Sequence, residues 1–413
     1  MTNPTEEPFD IIIFALHSWT KCEVEGFRTR DAHFLQEFER SSFTGKILVV
    51  DRPVSLPEML WKKRSLRPST GKLQYKGNGV SLTKVSEKIS VLDFFSCDVI
   101  GPVFSLYRWW SKQLLKKDNI DAVLSAQNHL GMQNPVLFIS TPFCTEVIGK
   151  LNEKLVIFDA IDNLLKHHYM LKEHSNLEKR YEFIKKQCDI IFTNSEPLAT
   201  YLREGRDNVC CVRNGVEPKR FAQENLEIPF DLKGIKQPLV GYSGKINQRL
   251  NKEILEYTIE NLPEISFVFI GQMMDREWFK SLFKFKNVHY LGDKHYDELP
   301  SYLAAFDIGI VPHVIGKEEH DPDAMKTYEY LAAGKPVVAT NIIGIKDFGA
   351  SVTVGNTREE FKKGIQNFLK NDKEERQKMS GEIRKSIKPG WTWESRVKTV
   401  LSTIHEKLNT LPK

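Results

Sequence analysis

The stretch DPDAMKTYEYLAAGKPVVAT, residues 321–340, joins a helical pattern to a short strand and decides the fold class of the chain. Its Ala-Ala-Gly ends the helical pattern just before the apolar run PVVAT, an order typical of parallel α/β sheets. Glu329 lies one turn before the helix end, at helical spacing from Met325 and Ala332. A carboxylate on the edge of an apolar face needs a polar partner, either a bound ligand or the neighbouring Lys326.

The same alternation of short apolar runs and helical patterns extends over the whole chain. Strands are predicted in the first half at 10–16, 46–51, 136–141, 154–160 and 189–195, and in the second half at 238–244, 266–271, 287–292, 307–313, 335–340 and 351–355. We therefore expect an α/β protein with two Rossmann-like domains, each built on a parallel sheet.

The domain junction is predicted in VRNGVEPKRF, residues 212–221, because Asn-Gly and Glu-Pro are turn signals. We expect an N-terminal domain at 1–213 and a second domain at 214–385. Residues 386–413 carry a long apolar stripe and should form a helix that crosses back to the N-terminal domain.

The composition excludes several classes of protein. Of the 413 residues, 41% are hydrophobic and 27% charged, as in soluble globular proteins, and the run FDIIIFALHSW is too short to span a bilayer. The six cysteines show no metal-type or disulfide-type spacing, so we expect reduced thiols in a cytoplasmic protein without a signal peptide. No cofactor and no metal ion are expected.

The basic residues are concentrated in one region. Residues 52–120 contain 13 Lys/Arg and 5 Asp/Glu, whereas the chain as a whole has a net charge of +5. Within residues 103–117 an apolar stripe has basic residues beside it, and its members are Val103, Leu106, Tyr107, Trp110 and Leu114. Such a helix can lie on the inner face of an anionic membrane, or it can simply pack its stripe inward.

Ligands of parallel sheets collect where the strands end, and three places in the second half fit this rule. In GYSGKINQRLNKE, residues 241–253, Lys245 and Arg249 follow a strand and a glycine turn, which suits a diphosphate but also fits a plain surface turn. His313 ends another strand and is either a ligand contact or a loop residue. Asp321 before Pro322 is predicted to cap the helix that carries Glu329.

Several of these motifs together resemble retaining GT-B glycosyltransferases of family 4, of the bacterial cell-surface polysaccharide type. Residues 321–340 resemble the family's nucleotide-sugar motif, and the other matching segments are TNSEPLATYL, VRNGVEPKRF, YSGKI and YLGDKHYDELPSYLAAFDIGIVPH. The resemblance covers residues 189–345 well and the first 150 residues poorly. It implies a GT-B architecture, in which two Rossmann-like domains face a central cleft.

The resemblance also implies roles for residues of the second half. Glu329 would accept hydrogen bonds from the ribose hydroxyls of a nucleoside-diphosphate sugar. The diphosphate would be held by Gly244, Lys245 and Arg249, with help from Lys326, and the base by backbone groups of Leu291 and Gly292. The family's sugar-contacting glutamate corresponds to Asp321 here, a shorter carboxylate for which Asp323 is the substitute candidate.

The first half departs from the family pattern. The Gly-Gly turn that family members have after the first strand is absent, and Gly26 with Arg28 and Arg30 is the candidate replacement. His17 emerges from the end of that strand and is a catalytic candidate. In KLVIFDAIDNLLKHH, Asp162 or Asp159 would meet the acceptor hydroxyl, or would cap the helix that follows.

The implied activity is transfer of a hexose from a nucleoside-diphosphate sugar to a hydroxyl acceptor, with retention of anomeric configuration. The acceptor would be a saccharide or glycolipid in surface polysaccharide or glycolipid biosynthesis. The alternatives are a nucleotide-sugar epimerase of the same fold and a non-catalytic, nucleotide-sugar-binding partner subunit. Nucleic acid is not an expected partner, because aromatic and basic residues interleave in only one short tract.

Overall fold

The computed structural model describes residues 7–61, 65–104, 106–223, 226–316 and 323–411. The chain divides into two compact units, one formed by Met1–Val212 with Val397–Lys413 and the other by Arg213–Arg396. Within the described ranges, no helix is both long enough and apolar enough to cross a membrane.

The first unit is built on one large sheet. Its strands are β1 Phe9–Phe14, β2 Thr44–Val50, β3 Val54–Ser55, β4 Lys72–Gly77, β5 Val80–Lys84, β6 Ile89–Ser96, β7 Val136–Ile139, β8 Leu155–Ala160, β9 Ile190–Thr193 and β10 Val209–Cys211. Its helices are α1 Trp19–Glu25, α2 Arg30–Arg40, α3 Leu56–Trp61, α4 Gly101–Phe104, α5 Leu106–Leu114, α6 Lys117–Leu130, α7 His174–Gln187 and α8 Glu196–Arg203.

The strand order in the described part of this sheet is β10-β9-β8-β7-β1-β2-β6-β5-β4, with β3 paired to β6. Strands β10 to β6 along this order run parallel, and the β6-β5-β4 end is antiparallel. The central strands are buried on both faces, which explains their continuous apolar runs. The carboxyl ends of the parallel strands therefore meet at one edge of the sheet.

The second unit has a smaller parallel sheet. Its strands are β11 Leu239–Ser243, β12 Ser266–Ile270, β13 Val288–Tyr290, β14 Ile308–Val311, β15 Val337–Ala339 and β16 Val352–Val354, in the order β13-β12-β11-β14-β15-β16. Its helices are α9 Pro218–Phe221, α10 Lys252–Glu260, α11 Arg276–Phe279, α12 Leu299–Ala305, α13 Met325–Ala332, α14 Arg358–Leu369 and α15 Lys373–Lys385. Helix α16, Trp393–Thr410, follows them.

All six predicted strands of the second half are present, and their pairings are parallel. The five strands predicted in the first half are also present, as β1, β2, β7, β8 and β9. The strands in residues 72–96 were missed. Strand β4 is exposed along most of its length and lacks the apolar run of a buried strand, whereas β6 is largely buried and its apolar run was overlooked. The predicted α/β class with two parallel sheets is confirmed.

The predicted amphipathic tract 103–117 packs its stripe inward. Leu114 is buried in the core of the first unit, and the ring of Tyr107 stacks on Phe143 at a centroid distance of 4.4 Å. Val103, by contrast, is 71% exposed. Tyr107 and Leu114 of α5 thus pack inward, whereas Val103, which lies in α4, points away from this core.

Candidate functional site

A glycine turn follows β11 and lies against the side chain of Lys326. Gly244 has a φ of 135°, and a Cβ added there would lie 2.9 Å from Cε of Lys326. Gly271 follows β12, and its added Cβ would lie 2.1 Å from the carbonyl oxygen of Gly244. Because both positions lack room for a side chain, the two turns pack backbone to backbone and bring α13 to the carboxyl edge of the sheet.

Lys326 is also positioned by an aromatic ring. Its Nζ lies 5.2 Å from the ring centroid of Tyr242, a residue of β11, while the Tyr242 hydroxyl donates to the carbonyl oxygen of Lys245 at 3.0 Å. The side chain of Lys245 is exposed. The predicted diphosphate residues Gly244, Lys245 and Lys326 are therefore neighbours in the structure, although Lys326 is far from the other two in sequence.

Glu329 is a buried carboxylate with a buried donor. Its side chain is on α13, only 6% of the residue is exposed, and the hydroxyl of Tyr296 donates to Oε1 at 3.1 Å. Burial and the charge of Glu329 raise the pKa of Tyr296 well above its usual value, so this hydroxyl stays a donor. The Arg220 guanidinium lies 4.8 Å from the Tyr296 ring centroid and covers it.

The start of α13 differs from the prediction. The helix begins at Met325 after an N-cap at Ala324 that makes no side-chain hydrogen bond. Asp321 and Pro322, the predicted cap and first helical residue, lie outside the described residues, and so does the predicted sugar contact of Asp321.

Arg249 lies in the loop that leads from the glycine turn to α10. The amide of Val314 donates to its carbonyl oxygen at 2.8 Å, and Leu250 bridges to His313, so the loop is tied to the carboxyl end of β14. The Nε of Arg249 is buried and has no acceptor among the described residues. Burial raises the pKa of the Tyr242 hydroxyl, and the positive charge of Arg249 opposes that rise.

Leu291 and Gly292 follow β13, at the same edge of the sheet. The amide of Leu291 donates to Phe269 at 3.0 Å, and the carbonyl of Gly292 accepts from Gly271 at 2.8 Å. These two backbone groups are therefore engaged in the sheet and its turn. The groups that can be offered to a base are the Leu291 carbonyl and the Gly292 amide.

The carboxylate of Asp323 is surrounded by hydrogen-bond donors from the protein itself. Its buried carboxylate receives Arg213 Nη2 at 2.6 Å and the Tyr328 hydroxyl at 3.1 Å, and the amide of Asn214 also donates to it. Burial raises the pKa of Asp323, and the Arg213 guanidinium opposes that rise. The expectation that Asp323 replaces Asp321 as the sugar contact is wrong, because its oxygens are used by Arg213, Asn214 and Tyr328.

In the first unit, His17 forms a pair with Asp31 at the carboxyl end of β1. Its Nδ1 lies 3.1 Å from Oδ1 of Asp31, and its amide donates to Oδ2 at 2.8 Å. Burial alone would raise the pKa of Asp31, but the interactions with His17 outweigh it and hold that pKa below its usual value. Asp31 thus fixes the orientation of the His17 ring, an arrangement suited to general acid/base or hydrogen-bonding roles.

Asp159 is not available to an acceptor. Arg30 donates to it from Nη2 at 2.9 Å and from Nε at 3.0 Å, and both side chains are almost fully buried. Gly26 is the left-handed C-cap of α1, and Arg28 pairs with Glu25 at 3.2 Å. Arg30 is therefore unavailable to a donor, because it is buried in its ion pair with Asp159, whereas the role of Gly26 and Arg28 in place of the Gly-Gly turn stays a prediction.

Asp162 remains the acceptor-side candidate. It lies two residues after β8, is half-buried, and accepts a long hydrogen bond of 3.4 Å from Nδ2 of Asn194, which follows β9. Asn194 Oδ1 and Ser195 Oγ are buried and have no partner in the part of the chain that the structure describes. His17 and Asp162 lie at the same edge of the sheet, with β7 between their strands.

The sequence analysis missed a buried carboxylate pair in the first unit. Asp51 caps α1, accepting the amide of Trp19 at 2.9 Å. The register of Val50 opposite Leu92 places Asp51 beside Asp93 on neighbouring parallel strands. Burial raises the pKa of Asp51 to about 7, and burial and the charge of Asp51 raise the pKa of Asp93 to about 9.

No group of three or more His, Cys, Asp or Glu side chains in the described ranges is arranged to hold a metal ion. Lys245, Arg249 and Lys326 bring positive charge to the carboxyl edge of the second unit's sheet.

The two-sheet architecture of this chain is similar to that of several solved structures. Sucrose-phosphate synthase from Thermosynechococcus elongatus superposes with a TM-score of 0.69 at 14% identity, covering 98% of this chain and 100% of that one. Anabaena Alr3699/HepE, solved in complex with UDP and glucose, gives a TM-score of 0.62 at 14% identity, with 98% and 100% coverage. The chain has the GT-B fold.

Sequence comparison adds a family model and a curated relative. The model described as "Glycosyl transferase-like" matches residues 249–402. A Bacillus subtilis (strain 168) protein, TuaH, whose name assigns it to teichuronic acid biosynthesis as a glycosyltransferase, is 32% identical over 145 residues. That alignment covers 34% of this chain and 36% of TuaH, so the chain spans about a third of the length of this relative.

Proposed function

We propose that this GT-B protein transfers a hexose from a nucleoside-diphosphate sugar to a hydroxyl acceptor with retention, as a family-4-like enzyme. One observation carries the proposal: a single helix, α13, presents Lys326 to the Gly244 turn and Glu329 to Tyr296 at the carboxyl edge of the sheet. The match of residues 249–402 to a glycosyltransferase model supports it.

The spacing on α13 suits the two parts of a nucleoside diphosphate. Lys326 and Glu329 are three residues apart, about 4.5 Å along a helix at 1.5 Å per residue. We propose that Lys326 meets the diphosphate while Glu329 accepts hydrogen bonds from the ribose hydroxyls.

The leaving diphosphate gains negative charge as the glycosidic bond breaks, so stabilising it lowers the barrier. We propose that Lys245, Arg249 and Lys326 supply this stabilisation together with the amides of the Gly244 turn. Three cations neutralise a diphosphate without a metal ion, and we propose that none is required. The Leu291 carbonyl and the Gly292 amide would contact the base.

Within the first unit, His17 and Asp162 are the proposed contacts for sugar and acceptor. His17 is held by Asp31 and Asp162 is half-buried, so both are oriented polar groups at the carboxyl edge of their sheet. Asp321 is the proposed sugar contact of the second unit. The name of TuaH supports an acceptor from surface polysaccharide or glycolipid biosynthesis, and we propose a cytoplasmic location.

The first experiment is a thermal-shift panel of UDP, GDP, dTDP, ADP and CMP with wild type, Glu329→Ala and the exposed-surface control Glu359→Ala. At a concentration about 100 times the dissociation constant, a bound nucleotide adds about 2.7 kcal/mol to the free energy of unfolding. We expect one nucleotide to raise the melting temperature of wild type and control, and Glu329→Ala to lose most of that rise. A shift that Glu329→Ala retains in full would contradict the ribose assignment.

The reaction is then tested with sugars of the nucleotide that binds. We expect the nucleoside diphosphate to be released only with transfer to an acceptor, and proton NMR of the product to show the donor's anomeric configuration. Inversion at the anomeric carbon would refute retention. Conversion of the donor sugar into an epimer without an acceptor would refute the transferase proposal itself.

A further inference from the structure

A short turn at residues 98–100 and the helix α4 that follows it expose three aliphatic side chains of the first unit. Val99 is 47% exposed, Ile100 68% and Val103 71%, all within five residues of the chain. Isolated apolar residues are common on protein surfaces, but a contiguous exposed cluster marks an interaction site.

This turn is a well-defined structure. The carboxylate of Asp98 accepts the amides of Ile100 at 3.0 Å and Gly101 at 2.9 Å, and the indole N–H of Trp109 donates to its other oxygen at 2.7 Å. A Cβ at Gly101 would lie 2.3 Å from Cδ1 of Trp109, so the turn packs directly on α5. The contacts hold the polar backbone inward and leave the aliphatic side chains outside.

Basic residues follow the turn along the chain. Arg108, Lys112 and Lys116 follow at intervals of four residues along and just beyond α5, and all three are exposed or largely so. Hydrogen bonds from the Gly101 amide and the Trp109 indole lower the pKa of Asp98, and the positive charge of Lys116 adds to this lowering. Residues 97–117 contain four Lys/Arg and one Asp/Glu.

One further exposed aliphatic residue, Leu171, lies on a helix that contacts α5. Arg108 Nε contacts Glu173 Oε2 at 3.3 Å, which holds the short helix His168–Glu173 against α5. Leu171 on this helix is 68% exposed. Aliphatic tips with basic side chains beside them match an interface that is apolar inside and anionic outside.

We propose that the first unit docks on an anionic lipid bilayer through this surface. Val99, Ile100 and Val103 insert among the acyl chains, while Arg108, Lys112 and Lys116 contact the phosphate headgroups. The membrane contact predicted for 103–117 is thereby reassigned, because the stripe of α5 is packed in the core and the turn before it carries the exposed aliphatic side chains. The inference is independent of the transfer reaction.

Vesicle co-sedimentation tests this surface with wild type, Ile100→Asp/Val103→Asp, Lys112→Glu/Lys116→Glu and the control Phe230→Asp. Phe230 is 87% exposed and belongs to the second unit, so its variant changes exposed apolar area away from the turn. We expect wild type and control to bind vesicles of phosphatidylglycerol in phosphatidylcholine and to bind pure phosphatidylcholine weakly. Each double variant should bind the anionic vesicles at least about tenfold more weakly.

Added salt should weaken wild-type binding, because the basic residues act electrostatically. Circular dichroism spectra and melting temperatures are the controls that test whether each variant is folded. Absence of wild-type binding to anionic vesicles would overturn the proposal, as would an equal loss in Phe230→Asp. The proposal would also be overturned if wild type formed an oligomer and Ile100→Asp/Val103→Asp dissociated it without changing vesicle binding. The turn would then contact a second copy of the chain.

Discussion

Replacing Arg213 by Met should destabilise the second unit strongly, because it leaves Asp323 buried without its cation. Arg213 contacts Asp323 through Nη2 at 2.6 Å and Nε at 3.2 Å, and Nη1 pairs with Asp347. Methionine keeps much of the aliphatic packing and removes the charge. The carboxylate would retain the Tyr328 hydroxyl and the Asn214 amide as donors.

The size of the effect follows from burial. Removing one partner of a buried ion pair costs about 3–5 kcal/mol when the other charge stays uncompensated. Arg213 is 22% exposed in its side chain and Asp323 only 1%, so screening is small on the carboxylate side. Two neutral donors remain, and we therefore expect a loss of about 2–4 kcal/mol in the free energy of unfolding.

Urea unfolding and thermal melting measure this loss. The double variant Arg213→Met/Asp323→Asn should be more stable than Arg213→Met alone, because it removes the orphaned charge. Arg358→Met is the control, because its pair with Glu359 is exposed and screened by water and should contribute little to stability. The reasoning is refuted if Arg213→Met costs no more than the control, or if adding Asp323→Asn destabilises the protein further.

Three further outcomes are expected. The free energy of unfolding should fall by at most about 1.4 kcal/mol per pH unit as the pH rises from about 5 to about 9. The reason is the raised pKa of Asp93, because of which the native state binds more protons than the unfolded state. Asp93→Asn should flatten this slope in pH-dependent urea titrations. Tyr296→Phe removes a donor to Glu329 and should weaken nucleoside-diphosphate binding about fivefold to tenfold by calorimetry. Gly271 has a φ of 132°, and an added Cβ would lie 2.1 Å from a backbone oxygen. Gly271→Ala should therefore lower the free energy of unfolding by more than about 2 kcal/mol in melting experiments. Gly381→Ala is the control and should not destabilise the protein, because its Cβ meets nothing within 4 Å.

Local sequence patterns determined the strands and the class of fold. The runs 238–244 and 307–313 are largely apolar because their strands β11 and β14 are buried on both faces, and such runs are visible without any partner. The place of Glu329 on its helix also follows from spacing. Strand β4 was missed because an exposed edge strand carries no such run.

Side-chain partners were decided by the tertiary structure alone. Arg30 and Asp159 lie 129 residues apart in sequence, and Arg213 and Asp323 lie 110 apart, so no local spacing relates them. Arg30, Asp159 and Asp323 each had an interpretation as a ligand contact while the partner of that side chain was unknown. Burial beside an opposite charge then assigned them to the scaffold, since a charge removed from water must be paired where the chain folds back on itself. Periodicity thus encodes which face of an element is buried, whereas the pairing of polar groups across that buried face is set by topology.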